Sequence, residues 1–230
     1  MDNALFDVLK SVDTPTVCNA IEVAQGKRGF NDFTRGTMLA SDPAGVMVGY
    51  ARTARIRAVA PPTEAPEVIK ARRMAYYRYM ADGARPAVCV VQDLDVPNAI
   101  GAYWGEVNTN IHKAFGLAGT LTDGVMRDLG DVAEGYPVVA GSVGPSHGYV
   151  HVVDFDASVR IHGLDIRSGD LVHADRHGAV VVPTDVIPTL QSAIQTLMRS
   201  EQIVFDAVKG KQIGFAEFEV AWAAFEAART

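Results

Sequence analysis

Gly119-Thr120-Leu121-Thr122-Asp123-Gly124-Val125-Met126-Arg127-Asp128-Leu129-Gly130-Asp131 is the stretch from which the rest of the chain is read. Residues 120–122 read as the end of a buried strand. Asp123-Gly124 reads as a sharp reversal, because both residues tolerate the backbone angles that such a turn needs. Arg127 and Asp128 follow, with Asp131 three residues beyond. A guanidinium grips a carboxylate through paired hydrogen bonds, and an Asp carboxylate ligates a hard divalent ion. At a strand-to-helix turn, this pair suits a small metal-bound anion. The same residues also read as a surface ion pair, with Asp131 capping a short helix that follows.

Outward from this turn, residues 87–94 form an apolar run of strand length, of the kind buried on both faces. Asp93, Asp95, Asn98 and Gly101 then form a loop beyond that strand's carboxyl end, where ligands commonly bind. Gly105-Glu106 opens a helix through Val107, Ile111, Ala114 and Leu117, and the free amides of its first turn suit an anion. With residues 136–140 as a further strand, 87–140 alternates strand, helix, strand, helix, strand. That order predicts right-handed crossovers and a locally parallel sheet.

Toward the N-terminus, residues 4–12 and a segment opened by Asp13-Thr14-Pro15 and stopped near Gly26 read as helices. Residues 46–60 are β-rich, as one long or two short strands, and 66–82 form a helix with Arg72, Arg73 and Arg78 on its solvated face. After residue 144 come short strands at 150–155, 159–161, 170–173 and 179–182. A helix over 184–208 and a last helix at 215–228 follow, the latter with Phe218, Trp222 and Phe225 as a stripe suited to a core or a subunit contact. The chain reads as one α/β domain over residues 1–230.

Composition narrows the function classes. A net charge of −6 and a pI near 5.5 argue against a nucleic-acid surface. The N-terminus has neither the basic region nor the apolar core of a signal peptide, and no stretch approaches the roughly 20 apolar residues of a membrane span. Cys18 and Cys89 lack metal spacing and read as buried free thiols in a reducing compartment. A cytoplasmic protein is expected. The histidines at 147, 151, 162, 173 and 177 show no metal spacing; His151 and His173 read as structural, and Asp175 as a turn former before Gly178. His147, in Gly144-Pro145-Ser146-His147, is kept as a substrate contact.

Three segments carry a family resemblance: Gly105-Glu106-Val107, the stretch from Gly119 to Asp128, and the run from Gly169-Asp170 through Asp175 and Gly178 to Pro183. They resemble the RraA-like family, over about residues 14–208. Its members include the regulator of ribonuclease activity A and the class II 4-hydroxy-4-methyl-2-oxoglutarate / 4-carboxy-4-hydroxy-2-oxoadipate aldolases. The resemblance implies a swivelling β/β/α domain with N- and C-terminal helices, the last at about 214–228, assembled as a homotrimer or homohexamer with sites between subunits. Aldolase members carry an acidic residue, 20 intervening residues, then Arg-Asp. Here residues 107–126 separate Glu106 from Arg127-Asp128, with Glu106 standing where the characterised aldolases carry Asp.

That resemblance implies cleavage of a small 2-oxo acid containing a pyruvate unit, and oxaloacetate decarboxylation, through a pyruvate enolate. Such charge is met by a lysine Schiff base or by a divalent metal. The motif holds no lysine, and Lys113 lies seven residues past Glu106, so the carboxylates favour Mg²⁺ or Mn²⁺. Asp128 is then the expected ligand, with Glu106 and Asp131 holding metal waters. Arg127 takes the carboxylate and enolate oxygen, and amides from Gly105 to Val107 add donors. Glu201 is the expected acidic contribution from a neighbouring subunit. The competing expectation is a non-catalytic regulator of ribonuclease E acting through a protein contact.

Overall fold

Asp13 begins the second helix as its sequence signals. In the computed structural model, which describes residues 3–229, α1 (Asn3–Ser11) is followed by α2 (Thr14–Gln25). The Asp13 carboxylate accepts the Thr16 N–H at 2.9 Å, Pro15 sits in the first turn where no intrahelical bond is lost, and Gly26 ends the helix at φ 62°.

The β structure follows in chain order. β1 (Leu39–Ala40), β2 (Met47–Arg57), α3 (Pro66–Ala81), β3 (Ala87–Asp93), β4 (Ala102–Trp104), α4 (Glu106–Ala114) and β5 (Leu117–Thr122) make up its first part. β6 (Val125–Met126), β7 (Val138–Ala140), β8 (Ser142–Val143), β9 (His151–Phe155), β10 (Val159–Ile161), β11 (Leu164–Ile166), β12 (Leu171–Asp175) and β13 (Gly178–Val182) complete it. α5 (Ile187–Val208) and α6 (Phe215–Arg229) end the chain. These elements divide into two compact units, Asp32–Val181 and a helical unit made of the two chain ends.

In the Asp32–Val181 unit, an eight-stranded sheet runs in the order β1-β7-β5-β3-β2-β12-β13, with β9 also paired to β2. β3, β5 and β7 are mutually parallel, as the alternation over 87–140 predicts, and β2 joins them parallel to β3, whereas β1, β9 and β12 join antiparallel. β3 is central because both its faces are apolar. Ala87, Cys89 and Val91 pack with Tyr76 and Met80 of α3, while Val88 and Val90 pack with Met47, Leu121 and Ile161. Each fully buried side chain of this size contributes about 1.5–3 kcal/mol. Burial also pushes the Cys89 thiol up to about 12, which leaves it an inert packing group.

Two expectations are corrected. No helix follows Asp131: residues 123–137 hold β6 and turns. Asp128 at φ 54° and Gly135 at φ 67° place left-handed residues where a right-handed helix would have to run. The crossover from β5 to β7 therefore passes through β6, and Asp131 caps nothing helical. The segment from Asp93 to Gly105 is likewise more than a loop, since it contains β4.

In the helical unit, α5 lies against α2 and α6, and Arg229 pairs with Glu22 at 3.3 Å. The rings of Phe215, Phe218, Trp222 and Phe225 stack along α6 at 6.0, 5.7 and 5.1 Å. Phe225 is buried, whereas Phe215 is 73% exposed.

Candidate active site

β4, β6 and β8 form a separate parallel sheet of three short strands with β6 in the middle. Its register aligns Trp104 with Met126 and Met126 with Val143, so the carboxyl ends of all three strands coincide. The Arg127 N–H donates to the Trp104 carbonyl at 2.7 Å, and the Gly144 N–H to that of Met126 at 3.0 Å. These bonds bring Arg127-Asp128 beside Gly105-Glu106, although about twenty residues of chain separate the two pairs. Ligands in parallel sheets sit beyond such ends.

Gly105 is the hinge of this arrangement. It adopts an extended conformation at the N-cap of α4, and a Cβ there would lie 2.3 Å from Asp128 Oδ2 and 2.9 Å from Arg127 Cγ and Nε. A side chain here would displace the Asp128 carboxylate and the Arg127 guanidinium, so the glycine lets the turn close onto the helix start. Asp128 Oδ2 accepts the Glu106 N–H at 3.1 Å, placing a carboxylate at the positive end of α4. The Arg127 Nε stands 3.4 Å from the same oxygen but is buried without a hydrogen-bond partner. The pair is close enough for charge attraction and too poorly aligned to satisfy the N–H.

Thr109, one turn into α4, ties this corner together. Its hydroxyl donates toward the Gly105 and Glu106 carbonyls at 2.9 and 3.1 Å and accepts the Ala133 N–H at 3.1 Å. The helix start is thus bound to the chain leaving Asp131. Behind it, His112 Nδ1 lies 2.7 Å from the Asn108 carbonyl and its Nε2 2.7 Å from the Tyr76 hydroxyl, and burial lowers its pKa to about 4. Neutral and enclosed, His112 anchors α4 to α3. The sequence reading overlooked both Thr109 and His112. The spacing Gly105–Thr109, one helical turn apart, is the signal that was available.

The remaining candidates divide. Glu106 and Val107 lie exposed in the first turn of α4, where amides lack intrahelical acceptors. Asp131 closes a turn on the Asp128 carbonyl at 2.9 Å and leaves its side chain in solvent. His147 is placed elsewhere: the adjoining Ser146 carbonyl accepts the Ala102 N–H at the amino end of β4, and His147 Nδ1 meets the Gly148 carbonyl at 2.7 Å. Glu201 lies half-buried on α5, in the helical unit. Asp175 accepts the His177 N–H at 2.8 Å, the turn-forming role expected of it.

Among the described residues, no three His, Cys, Asp or Glu converge to hold a metal, so the chain offers no closed cage of the zinc type. Mg²⁺ binds differently, through one or two carboxylates while keeping several waters. Asp128 and the exposed Glu106, whose backbone N–H it accepts, are the carboxylates that would hold such a hydrated cation. Among the described residues no helix is long and apolar enough to cross a membrane.

Residues 14–181 match the family described as RraA-like, Aldolase/RraA. An uncharacterized protein of Methanocaldococcus jannaschii, MJ0644, is 25% identical over 109 residues, which are 46% of this chain and 52% of that protein. The chain thus spans about half of that relative's length. The crystal structure of Streptomyces coelicolor RraAS2, described as an unusual member of the RNase ES inhibitor RraA protein family, superposes with a TM-score of 0.63. It is 26% identical, over 88% of this chain and 94% of that one. An uncharacterized protein from Pseudomonas syringae pv. tomato gives a TM-score of 0.70 at 21% identity, over 97% and 94% of the two chains, and shows the shared fold alone.

Proposed function

Because the chain belongs to the RraA-like family, which includes both aldolases and RNase E inhibitors, we propose that it is a divalent-metal-dependent class II pyruvate aldolase. Its substrates are 4-hydroxy-2-oxo diacids of the 4-hydroxy-4-methyl-2-oxoglutarate and 4-carboxy-4-hydroxy-2-oxoadipate type, with oxaloacetate decarboxylation as a second activity. The observation that carries this reading is the corner itself: a glycine with no room for a Cβ, a carboxylate on a helix amide and a buried Arg127 Nε still lacking an acceptor. The guanidinium is only partly buried, so its other N–H groups remain to take an anionic ligand at this corner.

Asp128 would hold Mg²⁺ or Mn²⁺, with Glu106 and Asp131 orienting its waters. Bound there, the cation supplies Lewis-acid polarisation of the 2-oxo group. Arg127 binds the pyruvate carboxylate and faces the oxygen on which negative charge grows as the C3–C4 bond breaks. Amides of the first turn of α4 add donors to the same anion. The electron pair of that bond passes into the enol(ate), the hydroxyl proton leaves to a base, and protonation of C3 yields pyruvate.

The test is pyruvate release from oxaloacetate and from the hydroxy-oxo diacids. EDTA is expected to abolish it, and Mg²⁺ or Mn²⁺ to restore it; release untouched by thorough chelation removes the metal from the reading. The assembly that goes with this chemistry is a homotrimer or a dimer of trimers, in which Glu201 serves a neighbouring subunit's corner. Sedimentation of a monomer at micromolar concentration would take Glu201 out of the site.

The likeness to Streptomyces coelicolor RraAS2 favours a second reading, an inhibitor of an RNase E-type enzyme. Binding to such a ribonuclease, with no pyruvate released under any metal, selects it.

A further inference from the structure

A second cluster of acids lies beyond the carboxyl ends of β3 and β5. Asp93 ends β3 and is 1% exposed; Asp123 follows β5 and is 8% exposed. The Asp93 N–H donates to Asp123 Oδ1 at 2.7 Å, and the Asp95 N–H to Asp93 Oδ1 at 2.9 Å. Asp93 Oδ2 is buried and has no hydrogen-bond partner. Both acids line a cavity of about 260 Å³ with Gln92, Arg160 and His162. This cavity shares no lining residue with the Arg127–Asp128 corner.

His162 reaches the cavity from the β10–β11 hairpin. His162 and Gly163 carry φ of 44° and 85°, the two left-handed residues of a tight hairpin turn. The His162 Nε2 is also buried without a partner. It lies so close to the chain that a Cβ on Gly141 would be 3.0 Å from it.

Asp93 Oδ2 is an acceptor without a partner on a residue that lines the cavity, so a ligand that brings hydrogen-bond donors suits it. The two carboxyls make a positive charge on that ligand favourable. A metal ion would need ligands converging at about 2.0–2.6 Å. No three acidic or histidine side chains among the described residues converge in this way. A larger cation with N–H donors suits the spacing. The volume, larger than the roughly 150 Å³ that admits benzene, is ample for a small amine. We propose that this cavity is a binding site for a small primary ammonium, received by Asp93 and Asp123 with His162 as a third acceptor.

Charge surrounding the site is consistent with this. Asp93 feels Asp95 and, oppositely, Arg57. Arg160 at the rim is paired with Asp165 at 3.3 Å and is largely in solvent. Burial pushes the Asp123 carboxyl up to about 7 and raises that of Asp93 as well, so an incoming ammonium displaces a proton near neutral pH.

Calorimetric titration of the full chain with ethylammonium tests the proposal. One saturable site per chain is expected, about tenfold tighter at pH 8 than at pH 6, with proton release that scales with the ionisation enthalpy of the buffer. Tetraethylammonium, which has no N–H to donate, should not bind. Asp93→Asn, whose amide oxygen still accepts from Asp95, should weaken ethylammonium at least about tenfold. If that variant does not fold, His162→Asn, which tolerates the positive φ, should weaken it by a smaller factor. A free amine and a lysine side chain share this headgroup. Tighter binding of Nα-acetyl-lysine amide than of ethylammonium assigns a protein-borne lysine, and the reverse a free amine. Absence of saturable binding, or equal affinity in wild type and folded variants, overturns the site.

Discussion

Asp128 follows β6 beside a guanidinium and a helix amide, whereas Asp93 and Asp123 end β3 and β5 against each other, nearly out of reach of solvent. All three carboxyls occupy the carboxyl ends of parallel strands, the position where such sheets place ligands. Their surroundings differ. Around Asp128 stand a guanidinium, 3.4 Å away, and the first amide of a helix. Around Asp123 burial dominates over the Asp93 N–H bond that opposes it, and the proton is held until about pH 7. Position on the sheet marks both places, and burial above all sets the Asp123 carboxyl apart from its ordinary range.

The strongest way to break this comparison is at Arg127. Arg127→Lys keeps the charge and loses the planar fork, so it should lower kcat by roughly 10²- to 10³-fold with little change in metal requirement. Asp128→Ala should instead raise the Mg²⁺ concentration needed for activity, and excess Mg²⁺ should rescue it in part. Rescue of Arg127→Lys by Mg²⁺ would show that the two side chains have been given the wrong roles.

A smaller effect is expected at Gly105. Gly105→Ala places a Cβ where Asp128 Oδ2 now lies, so the carboxylate must move. We expect activity to fall about 10- to 100-fold with a stability loss of about 1–3 kcal/mol, read by kinetics and urea unfolding on one preparation. Full activity in a folded variant would mean that the corner tolerates displacement and is not a positioned site.

The smallest effect belongs to Asp123. Its folded pKa of about 7 lies above its ordinary value of 3.8, so the folded state binds the proton more tightly. The stabilisation is full below the ordinary value and is lost as pH rises to about 7. Asp123→Asn removes that loss. It should be more stable than wild type at pH 8 by about 1–3 kcal/mol, with the difference shrinking toward pH 5. Urea unfolding at the two pH values reads this, and a difference independent of pH would count against a buried, titrating Asp123.

Much of the frame was legible because its signals are local. The cap at Asp13, the two-faced apolar run of β3 and the start of α4 at Gly105-Glu106 each lie within a few residues. The corner was legible in part, through the family resemblance, whose acidic residue and Arg-Asp fall here on Glu106 and Arg127-Asp128. β4, β6 and β8 were not, since strands of two or three residues carry no period and exist only through one another. For the same reason a helix was expected after Asp131, where the chain instead turns back to supply β7. The acid cavity joins Asp93, Asp123 and His162 from three distant segments, and Asp123-Gly124 by itself reads as an ordinary turn.

The φ of 54° at Asp128 bears on any attempt to harden this protein. Asp is among the L-residues that enter this conformation, and its carboxylate accepts the Glu106 N–H, so glycine there would relieve roughly 1 kcal/mol of backbone strain and lose a hydrogen bond of about the same worth. Directed evolution scored on heat resistance alone would therefore be nearly indifferent at position 128. Under the aldolase reading it would let the metal ligand go, and a melting curve would register no change.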